Sequence, residues 1–138
     1  MTQKDKELLL TVLCTMLRYG VKVTTTNPAV EFGIISGISI KDKISVSTKD
    51  ADIVFECTEV TPYLRSMSSM TEEERKEYED LIIHKEHINA QGQEWDIDCF
   101  SFEGASRLIN WLNAHHFDYR GLIPKGLAIE APEGMYNI

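Results

Sequence analysis

Apolar positions change their spacing several times along the chain. Over residues 4–19, Leu9, Val12, Leu13, Met16 and Leu17 recur at helical spacing and form one stripe. Thr2 followed by Asp5 suits an N-terminal cap, Gly20 suits the stop, and Arg18 in the last turn suits the negative end of the dipole. Cys14 falls inside this run and reads as a small core residue. After Gly20 the period drops to two. Val21-Lys22-Val23-Thr24 alternates, Asn27-Pro28 is a turn, and Phe32 to Ile40 is apolar with Gly33 and Gly37 inside it, as in a bent or bulged strand. Lys41-Asp42-Lys43 and Lys49-Asp50 are turns on either side of an alternating Ile44–Ser47, and Ala51–Cys57 and Val60 follow in the same style. Short strands joined by tight turns predict an antiparallel meander, which buries two faces only by curling on itself. The expected fold is therefore α+β. It has an N-terminal helix, a small antiparallel SH3-like barrel or curled sheet over 20–61 with the helix plugging its open face, and a helical C-terminal part over 66–138. An unclosed sheet packed on the helix is the alternative. The division expected is 1–65 and 66–138.

Pro62 reads as the end of the sheet region, and 66–71 as a polar connector. Ser69 followed by Glu72 fits a capping box, and Glu72-Glu73-Glu74 places anions at a helix N-terminus. The helix they begin is expected to run to about His84 and to pack by one end. Residues 85–100 are hard to read, although Trp95, Ile97 and Cys99 alternate with Asp96 and Asp98 in the manner of a short strand. Ser101 is placed to cap a helix over 102–115 with the stripe Ala105, Leu108, Ile109 and Leu112. Leu122, Ile123, Leu127 and Ile129 make the tail apolar enough to dock on the body, and Pro132 and Gly134 mark a loose end.

Composition narrows the picture. The chain has 138 residues, 43% hydrophobic and 26% charged, which fits a folded domain and excludes wholesale disorder. Its net charge is −8, all of it in the second half, because the eight Lys/Arg of residues 1–65 are matched by eight Asp/Glu. Bulk electrostatics therefore disfavours nucleic acid, although the neutral first half leaves room for a basic face. Three cysteines without a Cys-x-x-Cys pair point to a reducing compartment. The most apolar run, Leu8 to Leu17, is about half the ~20 residues that span a bilayer. Asp5 and Glu7 interrupt the charge pattern of a signal peptide, and Leu13 before Cys14 disagrees with a lipoprotein signal. The expected setting is cytoplasmic, with no membrane.

Three stretches carry a resemblance. They are Glu7-Leu-Leu-Leu-Thr-Val-Leu-Cys through Tyr19-Gly-Val-Lys-Val, Pro62-Tyr-Leu-Arg-Ser-Met-Ser-Ser-Met-Thr-Glu-Glu-Glu, and Trp111-Leu-Asn-Ala-His-His-Phe-Asp-Tyr-Arg-Gly-Leu-Ile-Pro-Lys-Gly-Leu-Ala through Met135-Tyr-Asn. The chain resembles a group of small uncharacterised proteins encoded by phages, prophages and mobile elements of gut Bacteroides-type bacteria. Where that group commonly reads Pro-Tyr-Leu-Arg-Pro, this chain has Ser66, which makes the connector less rigid. The resemblance implies a bacterial or phage cytoplasmic setting and an accessory role. It brings no catalytic residue or cofactor with it.

The candidate chemistry is sparse. His84 and His87 are spaced as one helical turn, but Lys85 stands where a zinc-protease helix needs Glu, so no metal is expected. Glu94, Asp96 and Asp98 lack the ligand ladder and central Gly of a calcium loop. Gly33 to Gly37 lacks the Lys and Ser/Thr of a phosphate loop, and no cofactor is implied. His115, His116 and Asp118 form the most enzyme-like cluster, a His beside an Asp, without a nucleophile signature. Asp118 reads equally well as the cap of the following turn. Tyr19, Lys22, Tyr63 and Arg65 bracket the expected barrel and are the candidate binding residues. The favoured expectation is a non-catalytic accessory module that binds a protein. Nucleic-acid binding through a face gathering Lys22, Lys41, Lys43 and Arg65 is the first alternative. A small hydrolase using His115 or His116 with Asp118 is the second.

Overall fold

Helix α1 (Gln3–Met16) starts on a reciprocal cap, in which Thr2 Oγ1 accepts the Asp5 amide at 3.1 Å and the Asp5 carboxylate accepts the Thr2 amide. A 3-10 turn (Leu17–Tyr19) closes it, and Gly20 at φ +71° takes the left-handed position that a Cβ disfavours. The buried stripe is Leu9, Val12, Leu13 and Met16. Cys14 lies off this stripe and is exposed, which corrects its assignment to the core. The computed structural model describes residues 1–28, 30, 32–39, 41–88, 94–98 and 102–136, with backbone alone at 83–88, 94–98 and 102.

The strands follow the alternating segments: β1 (Lys22–Thr25), β2 (Gly33–Ile38), β3 (Lys43–Ser47), β4 (Asp52–Glu56) and β5 (Val60–Leu64). A second, two-stranded sheet pairs β6 (Ile83–Ile88) with β7 (Glu94–Asp98), and β8 (Ile129–Glu130) rejoins the first. The main sheet runs β4-β3-β2-β1-β5-β8, antiparallel except for the parallel β5–β8 pair. It is not closed into a barrel: β4 and β8 remain as edges. The physical reason is that α1 already covers one face. Its stripe forms a single core with Val21, Val23, Ile35, Ile44, Val46, Val60 and Leu64, completed from the C-terminal part by Leu122, Leu127 and Ala128. The open β4 edge carries Asp52 and Glu56, charges that oppose edge-to-edge pairing. Glycine 37 follows a register shift in the β2–β3 ladder, the expected bulge.

Pro62 does not end the sheet. It sits inside β5 opposite Val23, and the missing N–H costs the β1 ladder nothing because in this register Val23 and Pro62 are a non-hydrogen-bonded pair. Helix α2 (Glu72–Ile82) ends before His84, and the chain turns at once into the β6–β7 hairpin. His84 and His87 therefore lie on a strand, opposite Ile97 and Trp95, with a register shift between them, and not one helical turn apart. Their side chains and those of Glu94, Asp96 and Asp98, together with Cys99 and Ser101, lie outside the described residues. The α2 cap is also displaced from the expected Ser69. Thr71 Oγ1 accepts the Glu74 amide at 3.2 Å while Glu74 Oε1 accepts the Thr71 amide at 3.0 Å. Thr71→Ala is expected to cost about 1 kcal/mol, read as a lowered midpoint in thermal unfolding. Helix α3 (Phe102–Ala114) buries Leu112 but leaves Ile109 exposed, so its stripe is narrower than the sequence implied. Among the described residues, no helix is long and apolar enough to cross a membrane.

Candidate functional site

The last described segment, residues 129–136, is a wall shared by two grooves. One, about 820 Å³, lies on the sheet face turned away from α1 and is lined by Phe32, Ile34, Ser47 and Lys49 opposite Pro132 and Met135. The other, about 620 Å³, lies between this segment and α2 and is lined by Glu73, Glu77, His115, Glu130 and Glu133 around the Arg65–Glu74 pair.

Strand alternation floors the first groove. Val23, Ile35, Ile44 and Val46 point to the core, so Lys22, Ile34, Ser45, Ser47 and Tyr63 point outward. Phe32 and Ile34 remain 57% and 43% exposed, and Phe32 packs on the Tyr63 ring at 5.8 Å between centroids.

The segment is tied down at both ends. β8 pairs with β5, the Ala131 amide donates to Leu64 O at 2.7 Å, and Lys22 Nζ donates to Met135 O at 2.7 Å. The far tie is Tyr136. Thr24 lies opposite Thr61, and the Thr26 amide donates to Glu59 O, so this register sets Lys22 against Tyr63 as the next directly bonded pair. Instead, the Tyr136 hydroxyl stands between them. It accepts the Lys22 amide at 2.9 Å and donates to Tyr63 O at 2.7 Å. Burial pushes this phenol up to about 12, so the hydroxyl stays protonated and able to donate. Its ring stacks on His116, with centroids 3.8 Å apart and an interplanar angle of 8°.

His116 holds this position through the end of α3. The Phe117 amide donates to Leu112 O and the His116 amide to Asn113 O, the paired bonds of a helix stop usually made with glycine. His116 takes the left-handed residue at φ +61°. His116 is 7% exposed. Nε2 lies 2.7 Å from Tyr19 O, and because a carbonyl only accepts, Nε2 carries the proton. Nδ1 is then a buried acceptor with no partner among the described residues. Desolvation lowers the ring below its ordinary 6.5, against the pull of the Tyr19 bond, and the electrostatic influence of Arg65, His115 and Lys22 acts in the same downward direction.

Arg65 has a different environment from the other candidate binding residues. Nη1 and Nη2 donate to the two Glu74 oxygens at 2.7 Å each, and the guanidinium lies 4.3 Å from the Phe117 ring centroid. The pair holds the Glu74 carboxyl at about 2. Tyr19 contributes its carbonyl to His116 and its ring to Arg18. Lys22 and Tyr63 share the first groove's side of the sheet, whereas Arg65 lines the second groove. Lys43 pairs with Glu56. Of the expected basic face of Lys22, Lys41, Lys43 and Arg65, three cations are thus divided among separate intramolecular partners: Lys22 on Met135 O, Lys43 on Glu56 and Arg65 on Glu74.

The hydrolase cluster is also taken apart. Both Asp118 oxygens accept backbone amides, from Leu122 at 2.7 Å and Ile123 at 2.9 Å, so Asp118 caps the turn and orients neither histidine. His115 Nδ1 donates to Trp111 O at 2.8 Å, and its ring packs on Trp111. Among the described residues, no group of three His, Cys, Asp or Glu side chains is arranged to hold a metal. Sequence reasoning missed Phe32, His116 as a helix stop, and Tyr136. The first two carried a signal, an apolar residue at the head of β2 and the pair Leu112/Phe117 flanking a helix end that lacks glycine. Comparison with protein-family models, curated proteins and solved structures gave no match.

Proposed function

We propose that the chain is a non-catalytic accessory binding module of a phage or mobile element, and that the outward face of its sheet takes a segment of another protein. The observation that carries this reading is the groove floored by Phe32 and Ile34, large apolar side chains left open beside the Phe32–Tyr63 pair. Exposed aromatic and aliphatic groups in a concave setting supply the desolvated anchor that protein interfaces depend on. The engaged state of Lys22, Lys43 and Arg65 weighs against a phosphate backbone as the occupant.

The test is affinity capture with the tagged full chain from cells carrying the mobile element, with and without nuclease. A protein should be recovered in both, and its recovery should fall roughly tenfold or more with Phe32→Ser/Ile34→Ser, a loss of the size expected for central interface anchors. The variant's far-ultraviolet spectrum should remain that of the parent. Recovery of nucleic acid alone, or capture indifferent to the double substitution, rejects the reading.

A further inference from the structure

We propose that residues 129–136 are a releasable strap, latched by the stacking of Tyr136 on neutral His116 and opened by protonation of that imidazole, and that the strap regulates the sheet groove. The consequence for binding rests on the function proposed above. The latch itself is a property of the isolated chain.

The geometry carries the proposal. A tyrosine hydroxyl stands in a backbone ladder where direct strand pairing would otherwise close, bridging the Lys22 amide to Tyr63 O. Such a bridge is separable, because withdrawal of the side chain leaves the Lys22 amide and Tyr63 O, held apart by the hydroxyl, to take water. The ring that seats the tyrosine is a histidine held in a left-handed conformation that non-glycine residues rarely take. This ring has one nitrogen committed to Tyr19 O and the other buried without a partner among the described residues.

A proton on Nδ1 would create a buried cation whose new N–H meets no acceptor. The charged and titratable groups around it do not relieve this. Lys22 comes from β1, Arg65 from the residue after β5 and His115 from the same turn, and each disfavours a further positive charge on the ring. Tyr136, from the strap, stays a neutral phenol. Tyr19, from the turn after α1, offers a carbonyl already used by Nε2. Asp118, two residues on, has both oxygens on the Leu122 and Ile123 amides. Lifting Tyr136 admits water to Nδ1, so the open state accepts the proton more readily than the closed one.

The sign follows. A group whose closed-state pKa lies below its free value stabilises the closed state fully above that free value, 6.5, and loses the contribution as pH falls toward the closed-state pKa. Within that window the ratio of open to closed rises by up to about tenfold per pH unit. Opening removes the wall made by Pro132 and Met135, so the groove floored by Phe32 and Ile34 widens.

The Lys22 amide reports the latch directly, because its N–H is held by the Tyr136 hydroxyl. Hydrogen exchange of the purified chain, corrected for intrinsic rates, should show Lys22 protection falling by up to about tenfold per pH unit below 6.5 while amides in the β3–β4 ladder hold. Tyr136→Phe should lose the Lys22 protection already at neutral pH. His116→Asn, which tolerates the left-handed backbone, should abolish the pH dependence. The His116 ring titration, followed by carbon–proton spectra of the wild-type chain, should lie below 6.5 and needs no variant to fold. Lys22 protection that is constant with pH, a dependence that persists in His116→Asn, or a ring titrating at or above 6.5 overturns the proposal. None of these readouts uses a partner, so failure of the latch and failure of the binding reading are separately visible.

Discussion

Replacing Arg65 with alanine is expected to lower the unfolding free energy by about 3–5 kcal/mol, the cost of leaving one member of a buried ion pair alone. The reason lies in the number of elements that meet at this side chain. Besides its two bonds to Glu74, Nη1 reaches His115 O at 3.5 Å and Nη2 reaches Ser69 O at 3.3 Å. Its own backbone bridges to the turn after α3, donating to His116 O and accepting from the Asp118 amide, both at 2.8 Å. Truncation leaves the Glu74 carboxylate, whose residue is 7% exposed, without its counterion in the space between β5 and α2.

The pH dependence gives a second view of the same pair. The folded Glu74 carboxyl is held at about 2 against an ordinary 4.5, chiefly by its hydrogen bonds from Arg65. A depressed carboxylate contributes stability that is complete above 4.5 and is lost as pH falls toward 2. For this group the contribution is roughly 3 kcal/mol. Urea unfolding between neutral pH and pH 2.5 should show this decline in the parent chain and a much flatter course in Arg65→Ala. Arg65→Lys should recover only part of the loss, since an ammonium does not reproduce the two-pronged contact. A loss below about 1 kcal/mol in Arg65→Ala, of the size of an exposed surface pair, would show that the pair does not hold these elements together.

The second large effect is expected at Gly33, at the head of β2. A Cβ built there overlaps Val46 Cγ1 and closes on Ser47 O at 3.4 Å. Val46 is fully buried and β-branched, so it has no free space and one strongly preferred rotamer to leave. Gly33→Ala is expected to cost about 1–3 kcal/mol by overpacking. Val46→Ala removes the opposing methyl at the price of a cavity. In the double variant the losses should fall short of the sum of the singles by about 1 kcal/mol, because the two changes share one volume. Strict additivity in urea unfolding would show that the close approach is not what holds glycine at this position. This glycine also matters to the groove: a β2 strand pushed away from β3 shifts Phe32 and Ile34, which flank it.

How legible these features were depended on sequence distance. The α1 cap joins Thr2 to Asp5, the β2 bulge sits next to Gly37, and the strands of the meander pair with chain neighbours. Each is written in a few consecutive residues, where spacing and turn chemistry operate. The first failure came where two local patterns compete. Ile82 and Ile83 continue a helical stripe, yet Ile83 begins a strand paired with Asp98, and nothing within the helix itself signals that partner. Cap displacement from Ser69 to Thr71 has a similar origin. Both begin a polar-x-x-Glu pattern, and the choice fell to the one whose Glu74 also meets Arg65.

The sequence by itself determined the α+β class, the N-terminal helix with its buried stripe and the alternation that sets Val21 and Val23 against Lys22, and Ile44 and Val46 against Ser45 and Ser47, because these follow from periodicity and short-range steric rules. Only the tertiary structure decided that the sheet stays open, that β8 completes it beside β5, that Arg65 is bound to Glu74, and that Tyr136 reaches back to Lys22 and His116. Those arrangements join residues far apart in the chain. Their free energy comes from burying shared surface and satisfying polar groups across elements, and neither partner's local sequence contains the other.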